Sequence, residues 1–313
     1  GASLLGAAGG YVVLYGGLPE RLPPEVLAAS ALAWDFPPSY VKCFQEKVEE
    51  EAWLSPCTYG DPSPGSAQIA VWGDSHAMAL IPALDVAARE AGHKVALYAY
   101  PACPGISGLQ VYWTGREHDC SAFLDDTHRT ILDDPDLDLV VLINRAPLYA
   151  KGWLPYGIVE RGNQELRIGT RSGPLPDGED RLQFFLMMLE RTIVQLKSAG
   201  KKIALVYPLP EAGVDVPSRL ARLRLRGGDG ADFALPREHF DERSGDLIIA
   251  YDRLVAEHGL FPVRLHQRLC DQEVCQFLID GVPVFRDAHH LSATVARRMA
   301  TFFGPAMSAV GGT

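Results

Sequence analysis

Short, continuously apolar segments alternate along this chain with longer amphipathic ones. The segment Asp138–Asn144 reads DLVVLIN, and such an unbroken aliphatic run is typical of a strand buried on both faces. Strands are predicted at residues 68–72, 94–100, 138–144, 202–207 and 263–265, and helices at 77–91, 181–199, 246–258 and 292–307. This alternation predicts a parallel sheet between two layers of helices, a three-layer α/β/α sandwich.

The sequence before the first of these strands is of a different kind. Residues 4–15 read LLGAAGGYVVLY, about a dozen apolar residues where a bilayer-spanning helix needs about 20. Residues 1–17 are therefore interpreted either as the end of a transmembrane helix or as a helix that packs against the domain. Residues 18–66 are rich in proline and turn-forming residues, which predicts a linker or extension. Residues 67–308 form the predicted α/β domain.

The charge of the chain limits its partners. The formal net charge is −10, which argues against a nucleic-acid partner because phosphate backbones are repelled. Four arginines stand out as a basic cluster interleaved with leucines: Arg219, Arg222, Arg224 and Arg226. This cluster is either a solvated helix face with buried leucines or a contact for an anionic glycan or for lipid head groups.

Six cysteines fall into three couples that are close in sequence. The predicted disulfides are Cys43–Cys57, Cys103–Cys120 and Cys270–Cys275. None of the couples has the spacing of a zinc ribbon, and short-loop disulfides of this kind indicate an oxidising compartment such as the periplasm. The alternative is a set of free thiols in a cytosolic enzyme.

Gly73-Asp74-Ser75-His76 follows the first predicted strand and opens a helix. A serine in this position has its backbone N–H at a helix N-terminus, where it can stabilise an oxyanion, and Gly73 permits the tight turn. Taken alone, the same residues are more typical of a helix N-cap.

Asp287-Ala288-His289-His290-Leu291-Ser292 precedes the last predicted helix and supplies what a serine nucleophile lacks. Asp287 and His290 are three residues apart on a turn, so Asp287 can orient His290 while His290 acts as the base for Ser75. A metal site built from Asp287, His289 and His290 is the alternative, but adjacent histidines are expected to point apart. No metal is therefore predicted.

The motifs WGDSHA, PACPG and DAHHLS, in this order, resemble those of the SGNH (GDSL-like) hydrolase superfamily. They resemble more closely the periplasmic SGNH domain that is fused to membrane proteins of acyltransferase family three, over about residues 5–305. The resemblance implies a flavodoxin-like SGNH fold with Ser75 as nucleophile, His290 as general base and Asp287 as its orienting acceptor.

The resemblance also implies an oxyanion hole formed by the N–H of Ser75, a glycine after the second strand and an asparagine after the third. Gly105 (or Gly108) and Asn144 are the candidates here. The sequence Asn144-Arg145 departs from the GxND pattern of the superfamily, and Arg145 is the candidate substrate contact.

In function, the resemblance implies an O-acyltransferase, with acetyl as the expected group, that modifies a bacterial surface polysaccharide such as O-antigen. Its partner would be a membrane acyltransferase domain in the same chain, which passes on acetyl from acetyl-CoA; no cofactor would be bound in the SGNH domain. The expected location is the periplasm, tethered to the inner membrane. Two alternatives remain: a carbohydrate or lipid esterase with water as acceptor, and a non-catalytic glycan-binding domain.

Overall fold

The structure is a computed structural model that describes residues 19–45, 53–63, 65–114, 118–152, 166–230 and 233–311. The stretch interpreted as the end of a transmembrane helix or as a packing helix, residues 1–17, lies outside the described residues. Among the helices that are described, none combines the length and the apolar character that crossing a bilayer requires.

A six-stranded sheet forms the centre of the molecule, with the strand order β1-β3-β2-β5-β8-β10. Its strands are β1 (Cys57–Gly60), β2 (Ile69–Gly73), β3 (Lys94–Ala99), β5 (Leu139–Ile143), β8 (Lys202–Val206) and β10 (Phe261–Val263). The edge strand β1 runs antiparallel to β3, and the other neighbouring pairs are parallel. In the centre of the sheet, Val71 of β2 lies opposite Leu97 and Val141.

Helices cover both faces of this sheet. The helices are α1 (Pro24–Ala31), α2 (Ser75–Ala91), α3 (Ser121–Asp133), α4 (Ala146–Lys151), α5 (Arg181–Ser198), α6 (Val216–Leu225), α7 (Arg237–His258), α8 (His266–Leu269), α9 (Ala293–Arg297) and α10 (Gly304–Met307). Because side chains alternate along a strand, Ile69 and Val71 pack into one apolar core with α2 and α9. Ala70 and Trp72 pack into the other core, with α3, α5 and α7. The predicted α/β/α sandwich is thus confirmed.

Three small sheets lie outside the central one. They are formed by β4 (Gln110–Trp113), β6 (Leu166–Thr170) and β7 (Gly173–Pro174); by β9 (Ala234–Pro236) and β11 (Val274–Gln276); and by β12 (Leu278–Ile279) and β13 (Val282–Pro283).

Several features differ from the sequence-based expectation, which included neither α3 nor α6. The segment interpreted as a linker contributes β1, which the Cys43–Cys57 disulfide ties to the preceding segment. Helix α7 begins at Arg237, nine residues before its predicted start, and β10 lies two residues before its predicted position. The predicted last helix is broken into α9, a 3₁₀ turn at Ala300–Phe303 and α10, because Pro305 cannot donate a backbone hydrogen bond in a helix interior.

All three predicted disulfides are present. Cys103–Cys120 joins the loop after β3 to the residue that precedes α3. Cys270–Cys275 closes the turn between α8 and β11. None of the described cysteines is free.

Candidate active site

The turn between β2 and α2 carries Ser75 at the carboxyl edge of the sheet, where sites of parallel α/β folds lie. A side chain at Gly73 is impossible without rearrangement, because a Cβ there would lie 1.7 Å from the carbonyl oxygen of Ile143. The backbone of β2 therefore passes directly against the end of β5. Ser75 is the first residue of α2, so its N–H belongs to the first turn, whose N–H groups have no acceptor within the helix.

Asp74 is almost completely buried and accepts three hydrogen bonds. Its donors are the backbone N–H of His76 at 2.8 Å, the backbone N–H of Arg145 at 2.9 Å and the hydroxyl of Tyr149 at 2.7 Å. Burial raises the pKa of Asp74 above its ordinary value, and the three donors oppose that rise. Asp74 is thus both the N-cap of α2 and the link between the nucleophile turn and the start of α4. Sequence analysis missed Tyr149, which no motif marks.

The loop before α9 brings Asp287 and His290 to Ser75. His290 Nε2 lies 2.8 Å from Ser75 Oγ, and His290 Nδ1 lies 2.7 Å from Asp287 Oδ2. The other carboxylate oxygen, Oδ1, accepts the backbone N–H groups of His289 at 2.9 Å and of His290 at 2.8 Å. One carboxylate thus fixes both the turn and the orientation of the imidazole.

Asp287 is held in its anionic form. Burial alone would raise its pKa, but the charge and the hydrogen bond of His290, with smaller contributions from His289 and Arg286, keep that pKa well below its ordinary value. Because an ionised carboxylate can only accept, Nδ1 of His290 donates to Asp287, and in the neutral imidazole Nε2 then accepts from the hydroxyl of Ser75. This is the protonation state that activates a serine nucleophile.

Residues from the N-terminal extension support the same loop. The guanidinium of Arg286 lies 3.4 Å from Asp287 Oδ2 and stacks over the ring of Phe36, 4.1 Å from its centre. Burial lowers the pKa of Arg286, while the charge of Asp287 raises it. Phe36 precedes β1, so the predicted extension contacts the site as well as the sheet.

Gly105 lies against the nucleophile turn and has a positive φ of +65°. A Cβ at Gly105 would lie 2.8 Å from the carbonyl oxygen of Trp72 and 2.9 Å from the nitrogen of Gly73. Gly108 is placed differently, because a Cβ there would first meet the side chain of Met188. Of the two glycines considered, Gly105 is therefore the one beside Ser75.

Asn144 and Arg145 follow β5, and both are already engaged. Asn144 Nδ2 donates to the carbonyl oxygen of Pro104 at 2.9 Å, while its Oδ1 is buried without a partner among the described residues. Nε of Arg145 donates to Glu211, and Nε of Arg243 donates to the same carboxylate at 2.9 Å. Burial alone would raise the pKa of Glu211. Its two arginine partners have the larger effect together, so this pKa lies below its ordinary value.

The ion pair changes the interpretation of Arg145, which is 5 % exposed. Its guanidinium holds the loop after β8 against the start of α4, and its contact with a substrate stays a prediction. A buried carboxylate between two guanidinium groups is costly to disrupt, because removal of one partner leaves a charge without compensation.

Three histidines form a cluster at the site, contrary to the expectation that the adjacent rings point apart. The ring centres of His289 and His290 are 4.1 Å apart, and His289 Nδ1 lies 3.1 Å from Nε2 of His76. Burial lowers the pKa of both His76 and His289 well below its ordinary value, so one neutral ring donates to the other.

The cluster has the spacing that a metal ion requires. Both ring nitrogens of His290 are, however, bonded to Asp287 and Ser75. A metal bound by all three histidines would displace one of those hydrogen bonds.

A family model described as the SGNH domain fused to AT3 domains matches residues 42–305 of the chain. No curated protein matches. Among solved structures, the chain is similar to the periplasmic domain of a lipopolysaccharide acetyltransferase of Salmonella ser. Paratyphi A, with 14 % identity, a TM-score of 0.52 and coverage of 78 % of this chain and 85 % of that one.

A native aryl esterase of M. smegmatis is a more remote structural neighbour, with 12 % identity and a TM-score of 0.43 over 78 % of this chain and all of that one. Fold and family together support an enzyme of the serine-hydrolase type, with acyl-transfer or esterase chemistry. The chain belongs to the family of SGNH domains that are fused to AT3 domains.

Proposed function

We propose that this domain is an O-acyltransferase that transfers an acetyl group to a hydroxyl of a bacterial surface polysaccharide, with Ser75 as nucleophile. The observation that carries the proposal is the unbroken chain of hydrogen bonds from Asp287 through His290 to Ser75 Oγ. Because Ser75 also opens α2, one residue supplies both the nucleophile and an N–H for the oxyanion.

In the first half-reaction, Ser75 Oγ attacks the carbonyl carbon of the acetyl donor while His290 Nε2 takes the hydroxyl proton. The N–H groups of Ser75 and Gly105 are the proposed donors to the oxyanion. Collapse of the tetrahedral intermediate breaks the bond to the leaving group, to which His290 returns the proton. Asp287 stabilises the imidazolium in between without taking a proton itself.

In the second half-reaction, His290 takes the proton of a sugar hydroxyl, and the sugar oxygen attacks the acetyl-serine. The acetyl group leaves with the sugar, and Ser75 recovers its proton from His290. Asn144 stays a candidate third donor, although its amide group already donates to Pro104. Its role in the structure is to tie the loop of Gly105 to the end of β5.

Family membership supports the proposed donor and location. The family is that of domains fused to AT3 domains, so we propose a membrane acyltransferase domain in the same protein. The proposed acetyl source is acetyl-CoA on the cytoplasmic side of the membrane. The Salmonella neighbour is a periplasmic domain, and three disulfides in this chain fit an oxidising compartment. The proposed site of action is therefore the periplasmic face of the inner membrane.

Hydrolysis is the second candidate, and the partial exposure of Ser75 favours it, because water can reach the acetyl-serine. Both reactions pass through the acyl-enzyme and differ in the acceptor. Which of them occurs depends on whether the bound polysaccharide keeps water away from the acetyl-serine.

Two experiments test the proposal. After brief incubation with an activated aryl acetate, intact mass spectrometry should detect one acetyl group on the chain and none on Ser75→Ala. Ser121→Ala is the matched control, because Ser121 also opens a helix but lies beside no histidine base among its described contacts. An adduct that persists in Ser75→Ala would refute Ser75 as nucleophile.

The second experiment separates transfer from hydrolysis. In cells, the full-length protein should acetylate a surface polysaccharide, and Ser75→Ala should abolish this modification. Polysaccharide acetylation that survives in Ser75→Ala would place the transfer chemistry in the membrane domain and leave this domain a binding role. Acetyl-serine formation without polysaccharide acetylation would identify an esterase.

A further inference from the structure

A cavity of about 680 Å³ lies beside the segment that leads into α6. This acidic chain places two arginines there, beside apolar and aromatic side chains. The cavity is lined chiefly by Ala212, Val214, Arg219, Arg222, Phe233 and Phe277. Its volume is that of a small-molecule site.

The cavity wall is hydrogen-bonded to the catalytic loop itself. The N–H of Ala212 donates to the carbonyl oxygen of Ala288 at 2.8 Å, and the N–H of Val216, the first residue of α6, donates to that of Asp287 at 3.3 Å. The segment that leads into α6 thus separates the cavity from the triad by one thickness of backbone.

Arg219 and Arg222 lie on one face of α6, since residues three apart are neighbours on a helix. The adjoining face, with Val216 and Leu220, is fully buried. Both arginines are exposed, and neither has a hydrogen-bond or ion-pair partner among the described residues. Arg224, by contrast, points the other way and donates to the carbonyl oxygen of Glu25 at 3.1 Å.

The other charged group in the lining, the carboxylate of Asp215, already accepts a backbone hydrogen bond. Asp215 is the N-cap of α6, and its Oδ1 accepts the N–H of Ser218 at 2.9 Å. Among the described residues of the lining, two cationic side chains therefore stand against one capped carboxylate, a net charge of one positive unit. Phe233 packs edge-on against Phe277 with ring centres 5.1 Å apart and forms an apolar wall.

We infer that this cavity binds a carboxylate-bearing sugar residue of the acceptor polysaccharide. Guanidinium groups bind carboxylates with two parallel hydrogen bonds, and an aromatic wall contacts the apolar face of a sugar ring. That the polysaccharide is the acetyl acceptor rests on the function proposed above, whereas binding of an acidic sugar is independent of it.

Two observations favour an acidic sugar over a lipid head group. The arginines line a recess rather than a protruding surface, and a recess encloses a ring more readily than it meets a membrane plane. The net charge of the lining matches a single carboxylate, whereas recognition of anionic membranes by charge uses clusters of four to eight basic residues.

The test is isothermal titration of the whole chain with trigalacturonic acid, an oligosaccharide with one carboxylate on each ring. Binding should be measurable, should weaken as salt is added and should fall by roughly tenfold or more in Arg219→Gln/Arg222→Gln. The double variant Arg191→Gln/Arg226→Gln removes the same charge from exposed positions outside the lining and should bind as the unchanged protein does. The methyl ester of the trimer, which lacks the charge, should not bind even to the unchanged protein.

The ligand-side comparison keeps the test valid if the arginine variant folds poorly. Equal affinity for the acid and its methyl ester, equal affinity of both double variants, or no binding to the unchanged protein overturns the inference. Binding to phosphatidylglycerol vesicles that depends on Arg219 and Arg222, without binding of the trimer, also overturns it and identifies a lipid phosphate as the ligand. Because Ser75→Ala should still bind the trimer, failure of the proposed chemistry is distinguishable from failure of this site.

Discussion

The two halves of the site differ in what holds them. The nucleophile turn, Gly73–His76, lies in the centre of the sheet and is held by the end of β5 and the start of α4: a Cβ at Gly73 would meet Ile143, and Asp74 accepts hydrogen bonds from Arg145 and Tyr149. The catalytic loop, Arg286–Leu291, is held by Phe36 before β1 and by the backbone of Ala212 and Val216. The first half depends on the packed centre of the sheet, and the second depends on segments outside it.

His76 and His289 connect these halves. Their rings lie in nearly parallel planes and share the 3.1 Å hydrogen bond described above. One ring belongs to the nucleophile turn and the other to the catalytic loop. Because burial lowers the pKa of both rings and keeps them neutral, the junction between the halves is sensitive to acid.

The largest expected effect comes from removing the contact between Ser75 and His290, through which the two halves act in the reaction. Ser75→Ala and His290→Ala should each lower kcat for an aryl acetate by several orders of magnitude, because triad members act as a unit. Asp287→Asn should lower it by about 10⁴-fold, because the amide stabilises the wrong histidine tautomer. Asp177→Asn, at an exposed ion pair with Arg167, is the control. Comparable kcat in Asp287→Asn and the control would remove Asp287 from the triad.

Gly73→Ala tests whether the nucleophile turn depends on the close approach of β2 to β5. The new Cβ would meet the carbonyl oxygen of Ile143 in the centre of the sheet, so the free energy of unfolding should fall by about 4 kcal/mol or more. Gly245→Ala is the matched control, because Gly245 lies inside α7 with nothing within 4 Å of a Cβ, and alanine favours a helix there. Denaturant unfolding measures both, and equal stabilities would show that the β2–β5 contact can relax.

Arg286→Met tests whether the catalytic loop depends on the N-terminal extension. Methionine keeps apolar packing on Phe36 but removes the cation beside Asp287, which retains its bonds to His290 and to two backbone N–H groups. We expect a loss of about 1–2 kcal/mol in stability and about tenfold in kcat. Phe36→Ala should move both quantities in the same direction. Unchanged kinetics in both variants would show that the loop is positioned without the extension.

The smallest effect concerns the connection between the halves. The folded-state pKa of His76 and of His289 lies below the unfolded value, so the unfolded chain binds protons more readily at low pH. Stability is therefore fully present above about pH 6.5 and falls as the pH drops below it, by at most about 1.4 kcal/mol per pH unit for each histidine.

The double variant His76→Gln/His289→Gln should flatten this dependence between pH 7.5 and 5.5, measured by urea unfolding. Two amides can replace the hydrogen bond but do not titrate. His128 and His266, whose pKa values burial also lowers, will keep part of the slope. If the free energy of unfolding changes equally with pH in the variant and the unchanged protein, protonation of His76 and His289 does not lower stability.

Much of the fold was predictable because its signals are local. Unbroken apolar runs marked β2, β3, β5 and β8 to within one or two residues, since a strand covered on both faces tolerates few polar side chains. The motif around Ser75 was predictable for the same reason. The start of α7 was not predicted, because residues 237–245 are weakly periodic and become helical through packing. The break before α10 was not predicted either, because the 3₁₀ turn there has no clear signal in the sequence.

The sequence by itself determined the layered architecture, the cysteine couples and the residue types from which a serine triad can be built. These depend on periodicity, spacing and side-chain chemistry, which a linear sequence carries. Tertiary structure decided which of two glycines lies beside Ser75 and that Arg145 is paired with Glu211. It also decided that His76 and His289 share a hydrogen bond across 213 positions. Such contacts join residues far apart in the chain, and their energies arise only when burial removes the water that would otherwise separate them.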